Sequence, residues 1–236
     1  MKKTTLIGGL LLSTIINAQT FTTNPNGQAN TINTGFAGDG ATVLASDPSD
    51  VSTILGLNSV HCGDMGVHAD NSYFRFFDLS SAGLGELSIT DIDLGVENAT
   101  SGTDGSQPII IRVWSLAQGD TFPGGNLTLV DEFNTTVMDG ATGTVANFPY
   151  DNPVSFDSSV NNMVVEVNTP DLEEGHGFFF GSNDSSQTGD FFLSAEACGI
   201  TDPTPTSGIN FPDFRGIIVV NGFGNVPVDL MNFSID

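Results

Sequence analysis

The stretch HCGDMGVHADNSYFRFFDLSS, residues 61–81, holds one of the two cysteines and two of the three histidines of the chain. His61, Cys62, Asp64 and His68 are all metal-ligand types. No Cys-x-x-Cys or His-x-x-x-His pair accompanies them, and their spacing matches no zinc pattern. Cys62 as a nucleophile would need a neighbouring base such as His61 or His68. The chain holds two cysteines, Cys62 and Cys198. In a chain with the marks of export, a disulfide between them is the favoured expectation. No catalytic residue is assigned. Asp70-Asn71-Ser72 is a turn into a strand, and Tyr73, Phe74, Phe76 and Phe77 would populate both of its faces.

Carboxylates are the next candidates. Asp91 and Asp93 stand two apart on a strand and project to one face, and Glu97 continues that parity. A second group, Asp171, Glu173 and Glu174, forms an acidic loop before Gly175-His176. Either could contribute oxygens to calcium, which takes about six to eight. The simpler reading is a solvated strand face and a solvated loop, because no EF-hand or calcium-binding nonapeptide pattern is present. Glycoside hydrolysis needs two carboxylates at a set separation, and too many pairs here could satisfy it. There is no Gly-x-Ser-x-Gly elbow, His-Glu-x-x-His or phosphate loop, so enzymatic function is not assigned. For glycan binding the relevant aromatics are Trp114, Tyr73 and Tyr150. Trp114 alternates with Arg112, Ile110 and Leu116 and is expected to pack inside the fold. Tyr150 is expected to be exposed in the loop Phe148–Pro153. With Asp151 and Asn152 it would form a recognition surface together with Asn183, Asp184 and Gln187 of the loop Asn183–Gly189, and with Ser101–Gln107.

These side chains must be positioned by strands. Runs rich in β-branched and aromatic residues, separated by Gly, Asn, Asp and Pro, cover Tyr73–Leu79, Glu86–Asn98, Pro108–Leu116, Leu127–Phe133, Asn162–Asn168, Gly177–Ser182, Asp190–Ser194 and Gly216–Gly222. Met163, Val165 and Val167 alternate with Val164, Glu166 and Asn168. In Glu86–Asn98 the apolar phase slips between Ile89 and Ile92, which predicts a β-bulge near Thr90-Asp91. Pro108–Leu116 is apolar on both faces and reads as a central strand. The short helix candidates are Val51–Leu57 and a turn at Ala195–Cys198. The expected fold is all-β: a sandwich, jelly-roll-like, of about eight or more antiparallel strands.

Charge and the chain ends bound the setting. Residues 1–18 combine Lys2 and Lys3 with a short apolar run from Leu6 to Ile16 and a small residue at Ala18, the pattern of a signal peptide. No run is long enough for a transmembrane helix. Residues 19–58 read as an extended N-terminal arm, 59–225 as the sandwich, and 226–236 as a linker or the start of a further segment. The net charge is −23, and beyond the leader the only basic side chains are Arg75, Arg112 and Arg215. Such a surface disfavours nucleic acid and anionic membranes, and no membrane insertion is expected. It favours cations, calcium among them, although high acidity is also how an extracellular protein stays soluble.

The final residues, VPVDLMNFSID, resemble the linker that precedes the type IX secretion sorting domain of secreted Bacteroidetes proteins. The matching positions are Pro227, Val228, Asp229, Leu230 and Phe233; the sorting domain itself is absent. The stretches HADNSYFRFFDL, GSQPIIIRVWSL and FFFGSNDSSQTGDFFLSAEACGI are similar to uncharacterised β-sandwich modules of exported bacterial proteins, which implies a fold and a location but no activity. The expected function is that of a secreted or cell-surface module binding an extracellular polysaccharide or surface, with calcium as a candidate cofactor. A ligand-free structural spacer is the alternative, and a secreted hydrolase of glycans or peptides is a third reading.

Overall fold

The computed structural model describes residues 20–23, 30–31, 42–64, 67–80, 85–100, 104–171 and 176–224. The leader at 1–18, the motif at 226–236, and Glu173 and Glu174 lie outside the described residues. We label thirteen strands: β1 (Thr20–Thr23), β2 (Thr42–Asp47), β3 (Val60–Asp64), β4 (Asn71–Phe77), β5 (Glu86–Thr100), β6 (Ser106–Ala117), β7 (Leu127–Met138), β8 (Thr144–Asp157), β9 (Asn161–Thr169), β10 (Gly177–Phe180), β11 (Phe191–Ala195), β12 (Ile200–Pro205) and β13 (Ile218–Gly224). Two sheets pack face to face. The first runs β7–β6–β9–β4–β11–β12. The second runs β8–β5–β13–β2, with β10 pairing the far half of β5. All of these pairings are antiparallel.

The chain crosses between sheets at almost every connection, and the β6–β7 hairpin stays within one. The resulting orders 4–9–6–7 and 2–13–5–8 are the interleaved double Greek key of a jelly roll. Strands β10, β11 and β12 are an insertion between the last two strands of that pattern. Alternation sets the core, as expected. Tyr73 and Phe77 of β4, Ile109, Ile111 and Val113 of β6, and Met163, Val165 and Val167 of β9 face Ile92, Leu94 and Val96 of β5. Each such buried side chain stabilises by about 1.5–3 kcal/mol relative to exposure.

The bulge is where the phase slip placed it. Asp91 pairs with Asn221 and Ile89 with Gly222, so Thr90 has no counterpart on β13. On the other side of β5 the register jumps from Pro149 to Val154 at the same point. The extra residue allows Leu87 and Ile89 to point inward before the bulge and Ile92, Leu94 and Val96 after it. Beyond it, Gly95 permits the close approach of the chain leaving β10: a Cβ there would lie 2.5 Å from the carbonyl oxygen of Gly181.

Three expectations are corrected. Val51–Leu57 is not helical. It contains a two-residue strand, Thr53–Ile54, and packs Ile54 with Val145 and Ile217 on the outer side of the second sheet. The sandwich also begins earlier than residue 59, because β2 is an edge strand of the second sheet. Finally, Trp114 lies outside the sandwich core, on the outer face of the first sheet, half-buried against Phe74, Val164 and Phe192.

Cys62 and Cys198 form the expected disulfide across a separation of 136 residues. It joins β3 to the 3-10 turn that follows β11. In chain-entropy terms a loop of this size stabilises by about 4–5 kcal/mol. No helix among the described residues is long and apolar enough to cross a membrane.

Candidate functional site

The outer face of the first sheet carries an ordered cross-strand row. The registers place Glu132 beside Arg112, Arg112 beside Glu166, Glu166 beside Phe74, and Phe74 beside Phe192. The next row is Leu129, Trp114, Val164 and Phe76. One half of the face is therefore charged and the other aromatic. Glu166, 6% exposed, organises the charged half. Its carboxylate accepts from Arg112 Nη1 (2.8 Å), Ser72 Oγ (2.7 Å) and Trp114 Nε1 (2.9 Å). Arg112 Nε donates to Glu132 at 2.7 Å. Trp114 is thereby fixed in orientation, with one edge committed to Glu166.

The aromatic half is completed from the β6–β7 connection, where the sequence GDTFPGG folds back over the sheet. Phe122 packs edge-on to Phe192 with centroids 4.9 Å apart, and lies 5.9 Å from Phe74. Against Phe76 it is nearly parallel, at 8° and 6.5 Å. Phe76 and Phe122, both half-buried, line an open cleft of about 430 Å³, whose remaining lining includes Asp78, Ser80, Asp120, Thr121 and Asn162. A second cleft of about 280 Å³ shares Phe76 and Asp78 and continues past Leu44, Ala45 and Ser46 to Thr188 and Gly189. Together they make a groove with an aromatic floor and a rim of carboxylates and hydroxyls. Asn162 is anchored by the backbone N–H of Leu79, which donates to its Oδ1 at 2.9 Å. The Ser80 hydroxyl and backbone N–H, donating to Asp78 Oδ1, hold that carboxyl below the usual range. A glycosidase acid needs the opposite shift, so Asp78 is suited to accepting hydrogen bonds from a ligand and not to protonating one.

The expected recognition residues do not converge. Tyr150, Asp151 and Asn152 sit at the bulge in β8, one lateral edge of the sandwich. Tyr150 is half-buried with its ring 5.3 Å from Phe133, and burial, aided by the Asp131 carboxylate, raises its phenol. It is a packing residue more than an exposed platform. Asn183 lies in a separate two-stranded ladder with Arg215, and Asp184 and Gln187 belong to the loop that follows it. Asn183 is buried and its Nδ2 donates to the carbonyls of Asp50 (2.7 Å) and Thr53 (3.0 Å). Gln187 accepts from Arg75 at 3.2 Å. Asp184 is exposed. The loop Asn183–Gly189 still reaches the groove through Thr188 and Gly189. Of Ser101–Gln107, Gln107 is buried beside His176.

The solvated face expected for Asp91, Asp93 and Glu97 is also corrected. All three share a face, but it is covered, and each is under 5% exposed. Asn147 Nδ2 donates to Asp91 Oδ1 (2.7 Å) and Asp93 Oδ1 (2.6 Å). Asn221 Nδ2 donates to Asp91 Oδ1 (2.7 Å) and Asp93 Oδ2 (2.9 Å). Burial first, and the neighbouring Asp91 charge as a lesser cause, raise the Asp93 carboxyl against those two donors. Glu97 accepts from the backbone N–H of Leu57 at 2.8 Å. Asp171 is exposed. Among the described residues no three His, Cys, Asp or Glu side chains converge as a metal cage.

The groove residues Phe76, Phe122, Asp78 and Asp120 were not singled out from sequence. The available signal was a strand aromatic on both faces, Tyr73–Phe77, preceding an aromatic inside a Gly/Pro turn at Phe122. No protein-family model matches the chain, and no curated protein is similar to it in sequence.

Proposed function

We propose that the protein is an exported module that binds an extracellular polysaccharide in the groove floored by Phe76 and Phe122. The observation that carries this reading is the near-parallel pair of half-buried phenylalanines flanked by Asp78, Asp120, Ser80, Thr121 and Asn162. A pyranose ring offers apolar C–H faces for stacking and equatorial hydroxyls that donate to carboxylates and exchange hydrogen bonds with hydroxyls and amides. An apolar wall with few polar groups at its rim is the general layout of a small-ligand site. The net charge of −23 and the two carboxylates at the rim select a neutral polysaccharide over a sulfated or uronic one. Secretion is supported by the leader pattern and by the disulfide, which belongs to oxidising compartments.

The test is affinity electrophoresis against panels of neutral and anionic polysaccharides. Wild type is retarded by at least one neutral polymer, Phe122→Ala loses that retardation by tenfold or more, and Tyr150→Ala, at the opposite edge, keeps it. Absence of retardation by every polymer, or equal retardation of Phe122→Ala and wild type, refutes the groove and favours the spacer reading.

A further inference from the structure

The three histidines of the chain meet at one end of the sandwich, away from the groove. His61 is on β3, His68 on the two-residue strand Val67–His68, and His176 immediately precedes β10. His61 and His68 are 0% and 1% exposed, with ring centroids 6.1 Å apart. The tautomer of each follows from its partner. His61 Nδ1 lies 2.9 Å from the Phe178 carbonyl, which can only accept, so Nδ1 carries the hydrogen and Nε2 presents a bare lone pair. His68 Nε2 lies 3.1 Å from the Pro170 carbonyl, so the bare lone pair is on Nδ1. Both remaining nitrogens are buried and lie outside hydrogen-bond geometry, and the His176 backbone also approaches the His68 ring. The buried Gln107 Oε1 is a third acceptor without a partner, while Gln107 Nε2 approaches His176 Nδ1 at 3.2 Å.

A buried lone pair without a donor normally costs about 1–3 kcal/mol, and here two stand on adjacent rings. Each ring also shows the outer arrangement typical of a metal-ligating histidine, with the opposite N–H donating to a backbone carbonyl. With metal–nitrogen bonds of about 2.0–2.1 Å, two imidazoles on one ion have centroids about 5.2 Å apart at a tetrahedral angle and about 6.4 Å apart at a linear one. The observed 6.1 Å lies between these, so the rings must close by under about 1 Å to hold a tetrahedral ion.

We propose that His61 Nε2 and His68 Nδ1 are paired ligands of one divalent transition-metal ion of the zinc and copper class. Imidazole nitrogen suits those ions and not calcium. Water completes the shell, since no third His, Cys, Asp or Glu side chain converges on the pair among the described residues. The site is independent of the polysaccharide groove and does not rest on it.

The experiment is a long-range proton–nitrogen NMR spectrum of the histidine rings in the wild-type chain, recorded with Zn2+, with Ca2+ and with a chelator. The expected metal-free spectrum shows His61 as the Nδ1–H tautomer and His68 as the Nε2–H tautomer. Equimolar Zn2+ then shifts the two unprotonated nitrogens together with one-to-one saturation, and Ca2+ shifts neither. Unchanged His61 and His68 nitrogens at millimolar Zn2+, or a response confined to His176, overturns the proposal. His68→Gln is the companion variant: if folded, it loses saturable Zn2+ binding by at least tenfold, and if it retains wild-type binding the pair is refuted.

Discussion

Replacing Asp47 by asparagine tests whether the core of this sandwich depends on a buried charge pair. Arg75 points inward between Tyr73 and Phe77, 0% exposed, with its guanidinium 4.9 Å over the Phe191 ring. Its Nη1 lies 3.4 Å from Asp47 Oδ2, and that carboxylate also accepts from the Thr188 hydroxyl at 2.6 Å. Arg75 further donates to the carbonyls of Gly189 (2.9 Å), Asp190 (3.4 Å) and Gly216 (3.4 Å). Burial lowers the guanidinium to about 10, partly opposed by the Asp47 charge, so it remains a cation at neutral pH. At 3.4 Å and an effective dielectric of about 20, the attraction is about 5 kcal/mol. Breaking a buried pair from one side costs about 3–5 kcal/mol. The amide introduced by Asp47→Asn keeps an acceptor for Thr188, and the three carbonyls still hold Arg75, so the lower end, about 3 kcal/mol, is expected. With a guanidinium m-value of about 4 kcal/mol/M, the unfolding midpoint falls by about 0.7 M. The assay is equilibrium denaturation followed by Trp114 fluorescence. The double variant Asp47→Leu/Arg75→Met recovers more than half of the loss, because the uncompensated charge disappears. A midpoint shift below about 0.2 M for Asp47→Asn refutes the reasoning.

Other parts of the fold give separate tests. Burial lowers His61 from 6.5 to about 4, so the unfolded chain takes up a proton first. The stability tied to His61 is intact above pH 6.5 and is lost as pH falls towards 4. About 2 kcal/mol is gone by pH 5, and His61→Gln flattens that part of a chemical-denaturation pH profile. Its slope remaining unchanged contradicts the assignment. Removing the disulfide with Cys62→Ala/Cys198→Ala is expected to lower Tm by about 10–15 °C in differential scanning calorimetry, and a drop under about 3 °C shows that the cross-link does not constrain the unfolded chain. Asn221→Leu withdraws one donor from both Asp91 and Asp93 and should cost about 2–3 kcal/mol by urea unfolding; a neutral result means that Asn147 alone satisfies the pair.

The inner faces of both sheets were legible in the sequence, and the outer faces were not. Alternation in β9 and the phase slip in β5 identify which side chains point inward, because a strand has period two and a bulge shifts it by one. The same parity correctly grouped Asp91, Asp93 and Glu97. It could not reveal that the amides of Asn147 and Asn221, 54 and 128 residues from Asp93, close over that face. Trp114 failed for a related reason. A half-buried aromatic on an outer face has the same neighbours in sequence as a core aromatic, and only the return of Phe122 over the sheet distinguishes them. Within Val51–Leu57 the extended form is held by pairing of Thr53–Ile54 with Asn30–Thr31, by the Leu55 N–H bond to the Ser182 carbonyl, and by packing against Val145 and Ile217, none of which is local in sequence.

Strand β4 links the two halves of this picture. Its inward residues Tyr73, Arg75 and Phe77 join the core, while its outward residues Phe74 and Phe76 build the aromatic side of the groove. Through Arg75 it also fixes Gly189 and Gln187, and Gly189 lines the second cleft together with Phe76. An inward-pointing arginine is a costly way to fill a core. What it provides here is a direct tie between a central strand and the loop that borders the groove, made through backbone carbonyls that no apolar side chain could engage. A direct path of contacts thus runs from the core charge pair to the groove through Gly189. Asp47→Asn should therefore weaken polysaccharide retention more than a core truncation such as Val113→Ala, on a strand separated from β4 by β9, when both are measured well below their unfolding temperatures. Equal retention in the two variants would show that the loop is held without Arg75 and that the groove is independent of the core.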